Sequence, residues 1–117
     1  MYNIIMDGKY MKKKNFWLLE DDDMTQFVVS SYIMNFLSMD YVLRVVASAK
    51  EITAESGDII LSDQHGVDIE KLRPNGALVI SMSGNKGIIV DIHKPFRSKQ
   101  LEEVLSKKLG INIKKAA

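Results

Sequence analysis

Apolar runs alternate with helix-like polar segments along most of the 117-residue chain. "NFWLL" (15–19) is a short apolar run that ends in the acidic cluster Glu20-Asp21-Asp22-Asp23, and it reads as a first strand. A helix follows from Met24 to Met39, with Asp22 or Asp23 as its N-cap and carboxylates placed favourably at the positive end of its dipole. Its apolar positions run from Phe27 to Leu37 and wrap most of the circumference, which predicts burial on more than one side. "YVLRVVA" (41–47), "DIILSD" (58–63), "ALVISMS" (77–83) and "GIIVDIH" (87–93) read as four further strands. Between them, "SAKEITAES" (48–56) has room for a short helix closed by Gly57. "QHGVDIEKLRPNG" (64–76) holds about one and a half helical turns before Pro74 and Gly76 stop it. "RSKQLEEVLSKKLG" (97–110) is the clearest helix: Ser98 caps it, Leu101, Val104, Leu105 and Leu109 form its stripe, and Gly110 ends it.

Strands alternating with helices predict an α/β fold with a mostly parallel sheet covered on both faces. One domain over 15–110 is expected, with 1–14 a leader for which disorder is one expectation, and 111–117 a tail. Sixteen basic and fifteen acidic residues leave a net charge of +1, so no global field recommends nucleic acid or an anionic membrane as partner. The absence of cysteine excludes disulfides, zinc–thiolate sites and thiol catalysis, and fits a reducing compartment. No signal-like apolar stretch follows Lys12–Lys14, and no run approaches a membrane span, so a cytoplasmic location is expected.

In a parallel sheet the C-terminal ends of the strands share one edge, where open α/β sheets place their ligands. Glu20 and Asp21, then Asp63, then Ser81 and Ser83 before Gly84, and finally Lys94 before Pro95 all fall there. The bland reading of Asp63 is a residue that opens a loop. Three converging carboxylates repel one another, and a hard divalent cation relieves that; an oxygen-only set suits Mg²⁺. A carboxylate beside Mg²⁺ and an ammonium is arranged to attack a phosphoryl group. His65 and His93 are the only histidines, and neither has a partner at ligand spacing, so no transition-metal site is expected.

"LLEDDD", "DIILSD", "ISMSG" and "HKPF", in that order, resemble the receiver domain of two-component response regulators over about residues 15–109. The resemblance implies a flavodoxin-like (CheY-like) three-layer sandwich around a mostly parallel five-stranded sheet. It matches Glu20 and Asp21 to the acidic pair that organises Mg²⁺, and Asp63 to the phosphoacceptor, itself a metal ligand. His65 would lend its backbone carbonyl to the metal, Ser83 would be the switch hydroxyl, and Lys94 the family's lysine, followed by a cis Lys94–Pro95 bond. A histidine kinase or histidine phosphotransfer domain is the partner it implies, docking on the first helix, and a homodimer is a further expectation.

The chain departs from that pattern in its second half. The third helix is shortened, and only "GNK" (84–86) separates the fourth and fifth strands, where receivers carry a fourth helix; here that helix is missing. The aromatic that receivers usually carry three residues before the lysine is Asp91. Three geometries accommodate the short link: an antiparallel return that would take Lys94 to the wrong edge, an extended link across the sheet, or exchange of the last strand and helix between two chains. The parallel placement is preferred, because "KPF" followed by a capped helix matches the family. Two other functional classes stand beside phosphotransfer. One is a phosphorylation-independent pseudo-receiver used for protein interaction or dimerisation; the other is a small phosphate-ester hydrolase using the same carboxylates.

Overall fold

The computed structural model describes residues 4–6, 9–63 and 76–110. Within the segment expected as a leader, β1 (Ile4–Met6) and β2 (Lys9–Met11) pair as an antiparallel hairpin. The main sheet contains β3 (Lys14–Leu19), β4 (Tyr41–Val46), β5 (Ile59–Asp63), β6 (Leu78–Ser83) and β7 (Ile92–His93). These strands stand in the order β4-β3-β5-β6-β7, and every neighbouring pair is parallel. The α/β expectation and the parallel placement of the last strand are therefore met. The expected helical stub at 64–76 falls, but for Gly76, outside the described residues, as does the tail.

Alternation along the strands feeds two cores. Phe16, Leu18, Ile59 and Leu61 face one side; Trp17, Leu19 and Ile60 face the other. The first side is covered by α1 (Asp23–Tyr32), by a π-helical turn at Ile33–Leu37 that continues it, and by α2 (Ser98–Leu109). The second carries Ala54 and, packed against it, Ala49 and Ile52 from the segment after β4. That segment is a single 3₁₀ turn, Ala49–Glu51, instead of the short helix expected over 48–56.

Four further expectations need correction. The first helix is buried on one side through Thr25, Val29, Tyr32, Ile33 and Leu37, while Met24, Phe27 and Met34 are 72%, 68% and 73% exposed. Their spacing of three and seven residues makes one apolar stripe in solvent. Ser98 is the first helical residue of α2, so Arg97 takes the cap position, where its N–H donates to Gln100 Oε1 at 2.7 Å. Gly110 closes that helix at φ 69°, a left-handed conformation that glycine adopts without steric cost. The helix expected to reach Met39 is α-helical only to Tyr32.

The fourth correction concerns the fifth strand, expected over 87–93 and observed as Ile92–His93 alone. Ile92 pairs with Met82 and His93 with Ser83, so β7 touches only the last two residues of β6. The returning chain therefore climbs back by one or two residues' rise instead of crossing the whole sheet, and residues 84–91 suffice without a helix. That return consumes the residues expected to begin the strand, and leaves Ile89 96% exposed. Asn85 shapes the turn, accepting the Gly87 N–H on Oδ1 at 2.9 Å. The His93 ring reaches the Ile88 carbonyl at 2.8 Å.

Asp58, just ahead of β5, joins three strands from inside the fold. It is 2% exposed and its carboxylate accepts N–H groups from Asn15 (2.9 Å), Glu55 (3.0 Å) and the Trp17 indole (3.1 Å). Its carbonyl also accepts the Leu78 N–H at 2.9 Å. Burial pushes the carboxyl upward, but the donated hydrogen bonds outweigh it and hold the group below its ordinary value. A depressed folded-state value gives stability that is complete above the unfolded pKa and lost as pH falls through the folded one. Asp58→Asn should therefore cost about 2 kcal/mol at neutral pH. In urea titrations the gap between variant and wild type should close as pH drops below about 4.

Candidate functional site

The C-terminal ends of β3, β5, β6 and β7 meet at one edge, as parallel pairing requires. Glu20 follows β3 and folds its side chain back over the chain that leaves the sheet. Its Oε1 accepts the Asp21 N–H (2.9 Å) and the Asp22 N–H (3.1 Å), and its carbonyl accepts Gln26 Nε2 at 2.7 Å. Asp22 caps α1, its Oδ2 accepting the Thr25 N–H (3.0 Å) and hydroxyl (2.6 Å). Those bonds from Thr25, aided by the charge of Lys94, lower the Asp22 carboxyl. Asp63 closes β5, with the Ser62 hydroxyl donating to its carbonyl at 3.0 Å.

Lys94 completes the edge. Its N–H donates to the Ser83 carbonyl at 2.8 Å, which extends the β6–β7 ladder by one bond. Its side chain reaches past the end of β6 to acids that follow β3 and end β5. The ammonium donates to Glu20 Oε2 at 2.7 Å and also to Asp63 Oδ2. The Glu20 side chain is 1% exposed and that of Asp63 21%. Burial alone would lower the ammonium's pKa; the hydrogen bonds and charges of Asp63 and Glu20 outweigh it and raise it. Residues 20, 63 and 94, distant in the chain, thus share one ionic contact. The Lys94–Pro95 bond is cis, as expected.

Other candidates stand differently. Ser83 is buried, and its Oγ accepts the Asn85 N–H at 3.0 Å, while its carbonyl holds Lys94. Ser81 instead contacts Asp91. Asp21 is exposed, and its backbone N–H donates to the Glu20 carboxylate that Lys94 also holds. His65 lies outside the described residues. The expected convergence of three carboxylates is therefore reduced to two on one ammonium. Among the described residues, no three Asp, Glu or His side chains are grouped closely enough to hold a metal. The donor chemistry still suits Mg²⁺, which takes one or two carboxylates and fills the rest of its shell with water. A cleft of about 320 Å³ opens beside the ammonium, lined by Asp22, Met24, Thr25, Val28, Gly84, Pro95 and Phe96 together with Lys94.

Sequence reasoning noted Asp91 only as a missing aromatic. In the fold its Oδ2 accepts the Ser81 N–H (2.9 Å) and hydroxyl (3.2 Å), its own N–H donates to Ser81 Oγ (3.1 Å), and Oδ1 pairs with Lys108 Nζ at 2.9 Å. Burial works against the charge, but the bonds from Ser81 and Lys108 win and hold the carboxyl low. A carboxylate inside an otherwise apolar run was the signal available in the sequence.

Removing the ammonium leaves a buried carboxylate without its counter-charge. Lys94→Met should lower stability by about 2 kcal/mol at neutral pH, and adding Glu20→Gln should restore part of that loss. Because the folded-state lysine pKa is raised, its contribution is complete below about 10.4 and is lost as pH rises through the folded value. Chemical denaturation on the alkaline side should therefore show wild type declining toward Lys94→Met. In comparisons with known proteins, no protein family, curated protein or solved structure matches this chain.

Proposed function

We propose that the chain is a receiver domain of flavodoxin-like topology, accepting a phosphoryl group on Asp63 from a phosphohistidine donor. The observation that carries this reading is the Lys94 ammonium held jointly by Glu20 and Asp63 at the C-terminal edge of a parallel sheet. Counted from β3, the strand order follows the flavodoxin-like scheme, whose ligands bind at that same edge. Attack by an Asp63 carboxylate oxygen forms the O–P bond as the donor's P–N bond breaks, the electron pair returning to the imidazole nitrogen. Lys94 stands beside Asp63 to offset the charge the phosphoryl oxygens bring. Mg²⁺, which Glu20, Asp21 and Asp63 would hold with the backbone carbonyl of His65, would supply further neutralisation of that charge. The proposed partner is a histidine kinase or histidine phosphotransfer domain. Met24, which lines the site's cleft, and Phe27 and Met34 further along the chain offer it an apolar surface.

A phosphorylation-independent interaction module is the second reading, favoured by one observation. Residues 84–91 carry no helix, and Asp91 is tied into ion pairing, so the elements through which receivers report phosphorylation are absent from that segment. The module reading gives the same apolar stripe a docking or dimerisation role.

Intact mass after incubation with acetyl phosphate and Mg²⁺ separates the two. A single phosphoryl adduct on wild type that disappears in Asp63→Asn is the expected result. An unmodified wild type, with Mg²⁺ binding verified by calorimetry, would overturn phosphotransfer in favour of the module.

A further inference from the structure

Only two residue pairs join β7 to β6, and the chain that delivers β7 has neither helix nor strand to hold it. So short a ladder fixes its register weakly, and a slip of one residue would turn every side chain of β7 to the other face. Lys94 lies directly after this strand, so its direction depends on that register. Something outside the two pairs must set it.

Asp91 occupies the place where a third pair would be. Ladder partners run Met82 with Ile92 and Ser83 with His93, and the next position back is Ser81 opposite Asp91. There the Asp91 side chain takes the role of strand backbone, accepting the Ser81 N–H at 2.9 Å, while its own N–H donates to the Ser81 hydroxyl at 3.1 Å. The second carboxylate oxygen pairs with Lys108 of α2 at 2.9 Å, so strand, link and helix are fastened at one point. On the far side of the strand the Lys94 N–H is bonded to the Ser83 carbonyl at 2.8 Å, which closes the register from the other end.

We propose that Asp91 is a positioning residue for Lys94: by clamping Ser81 and Lys108 it fixes the register of β7 and so aims the ammonium at Glu20 and Asp63. The clamp stands in for the further ladder pairs that would ordinarily fix the register. Its consequence for phosphotransfer rests on the reading given above. Its effect on Lys94 does not, and the two are measured separately.

The experiment uses the full chain labelled with ¹⁵N-lysine, metal-free at neutral pH, with the Lys94 ammonium signal assigned through Lys94→Arg. An ammonium held by two carboxylates gives a resonance distinct from those of exposed lysines. Asp91→Ala should move that resonance into the exposed group and slow adduct formation from acetyl phosphate by about ten-fold or more, since small misplacements of catalytic groups cost rates of that order. Asp91→Asn, which keeps an oxygen to accept the Ser81 N–H, should recover part of both effects. Lys108→Met, which leaves the Ser81 bonds intact, should change both less than Asp91→Ala. A folded Asp91→Ala protein with an unchanged Lys94 resonance would refute the proposal, whatever its melting temperature. If Asp91→Ala does not fold, Asp91→Val, which removes both the Ser81 and Lys108 contacts but keeps an apolar run, takes its place; a shifted Lys94 resonance supports the clamp, and an unshifted one overturns it. A wild type that forms no adduct sinks phosphotransfer alone, because the resonance still decides the positioning role.

Discussion

One ammonium holds the far ends of this fold together. Lys94 comes from the last strand of the sheet, Glu20 from the strand next to the opposite edge, and Asp63 from the strand between. Glu20 is almost wholly buried, and a buried carboxylate without a counter-charge is strongly unfavourable. The backbone N–H groups of Asp21 and Asp22 satisfy one of its oxygens; among the described residues, Lys94 satisfies the other. The turn into α1, the end of β5 and the placement of β7 are coupled through that nitrogen. The same coupling makes the edge chemically capable, because a carboxylate beside a fixed cation, at the rim of a cleft, can meet an anionic group.

The sheet achieves this with an unusually small last strand. Parallel neighbours need a connection that carries the chain back to the starting edge, and its length depends on how much of the strand is to be paired. By pairing β7 only with Met82 and Ser83, the chain reduces that distance to one or two residues' rise. What is lost is the register that a longer ladder would fix, and the Asp91–Ser81–Lys108 contacts stand where that ladder is missing. A polar residue in an apolar run is in this way structural, and its cost of burial is offset by four named hydrogen bonds and ion pairs.

Among the described residues, the two faces of the sheet are unequally covered. One carries α1, its π-helical continuation and α2; the other, among the described residues, carries a 3₁₀ turn and the segment after it. On the side of the helices, α1 and its π-helical continuation still show Met24, Phe27 and Met34 to solvent, and Met24 lines the cleft beside Lys94. An apolar stripe next to a charged site combines two features of protein interfaces, area to bury and a polar group to orient the partner.

Much of this architecture was legible in the residues. Runs such as Ile59–Leu61, apolar on every position, specify a strand buried on both faces, because only a sheet covered on both sides hides consecutive side chains. Asp22 and Gly110 mark helix ends through local hydrogen bonding and backbone freedom, so the chain itself decides them. The positions of Glu20, Asp63 and Lys94 at the C-terminal ends of β3, β5 and β7 likewise implied a shared edge once the strands were parallel. Tertiary structure alone decided the rest. The extent of β7 depended on how far the chain had to return, a distance set by β6 and invisible to periodicity. Which apolar face of α1 met the sheet depended on packing that a wrap-around pattern leaves undetermined. Asp91 read as a defect until Ser81 and Lys108 stood beside it, since a carboxylate's partners are chosen in space and not along the sequence.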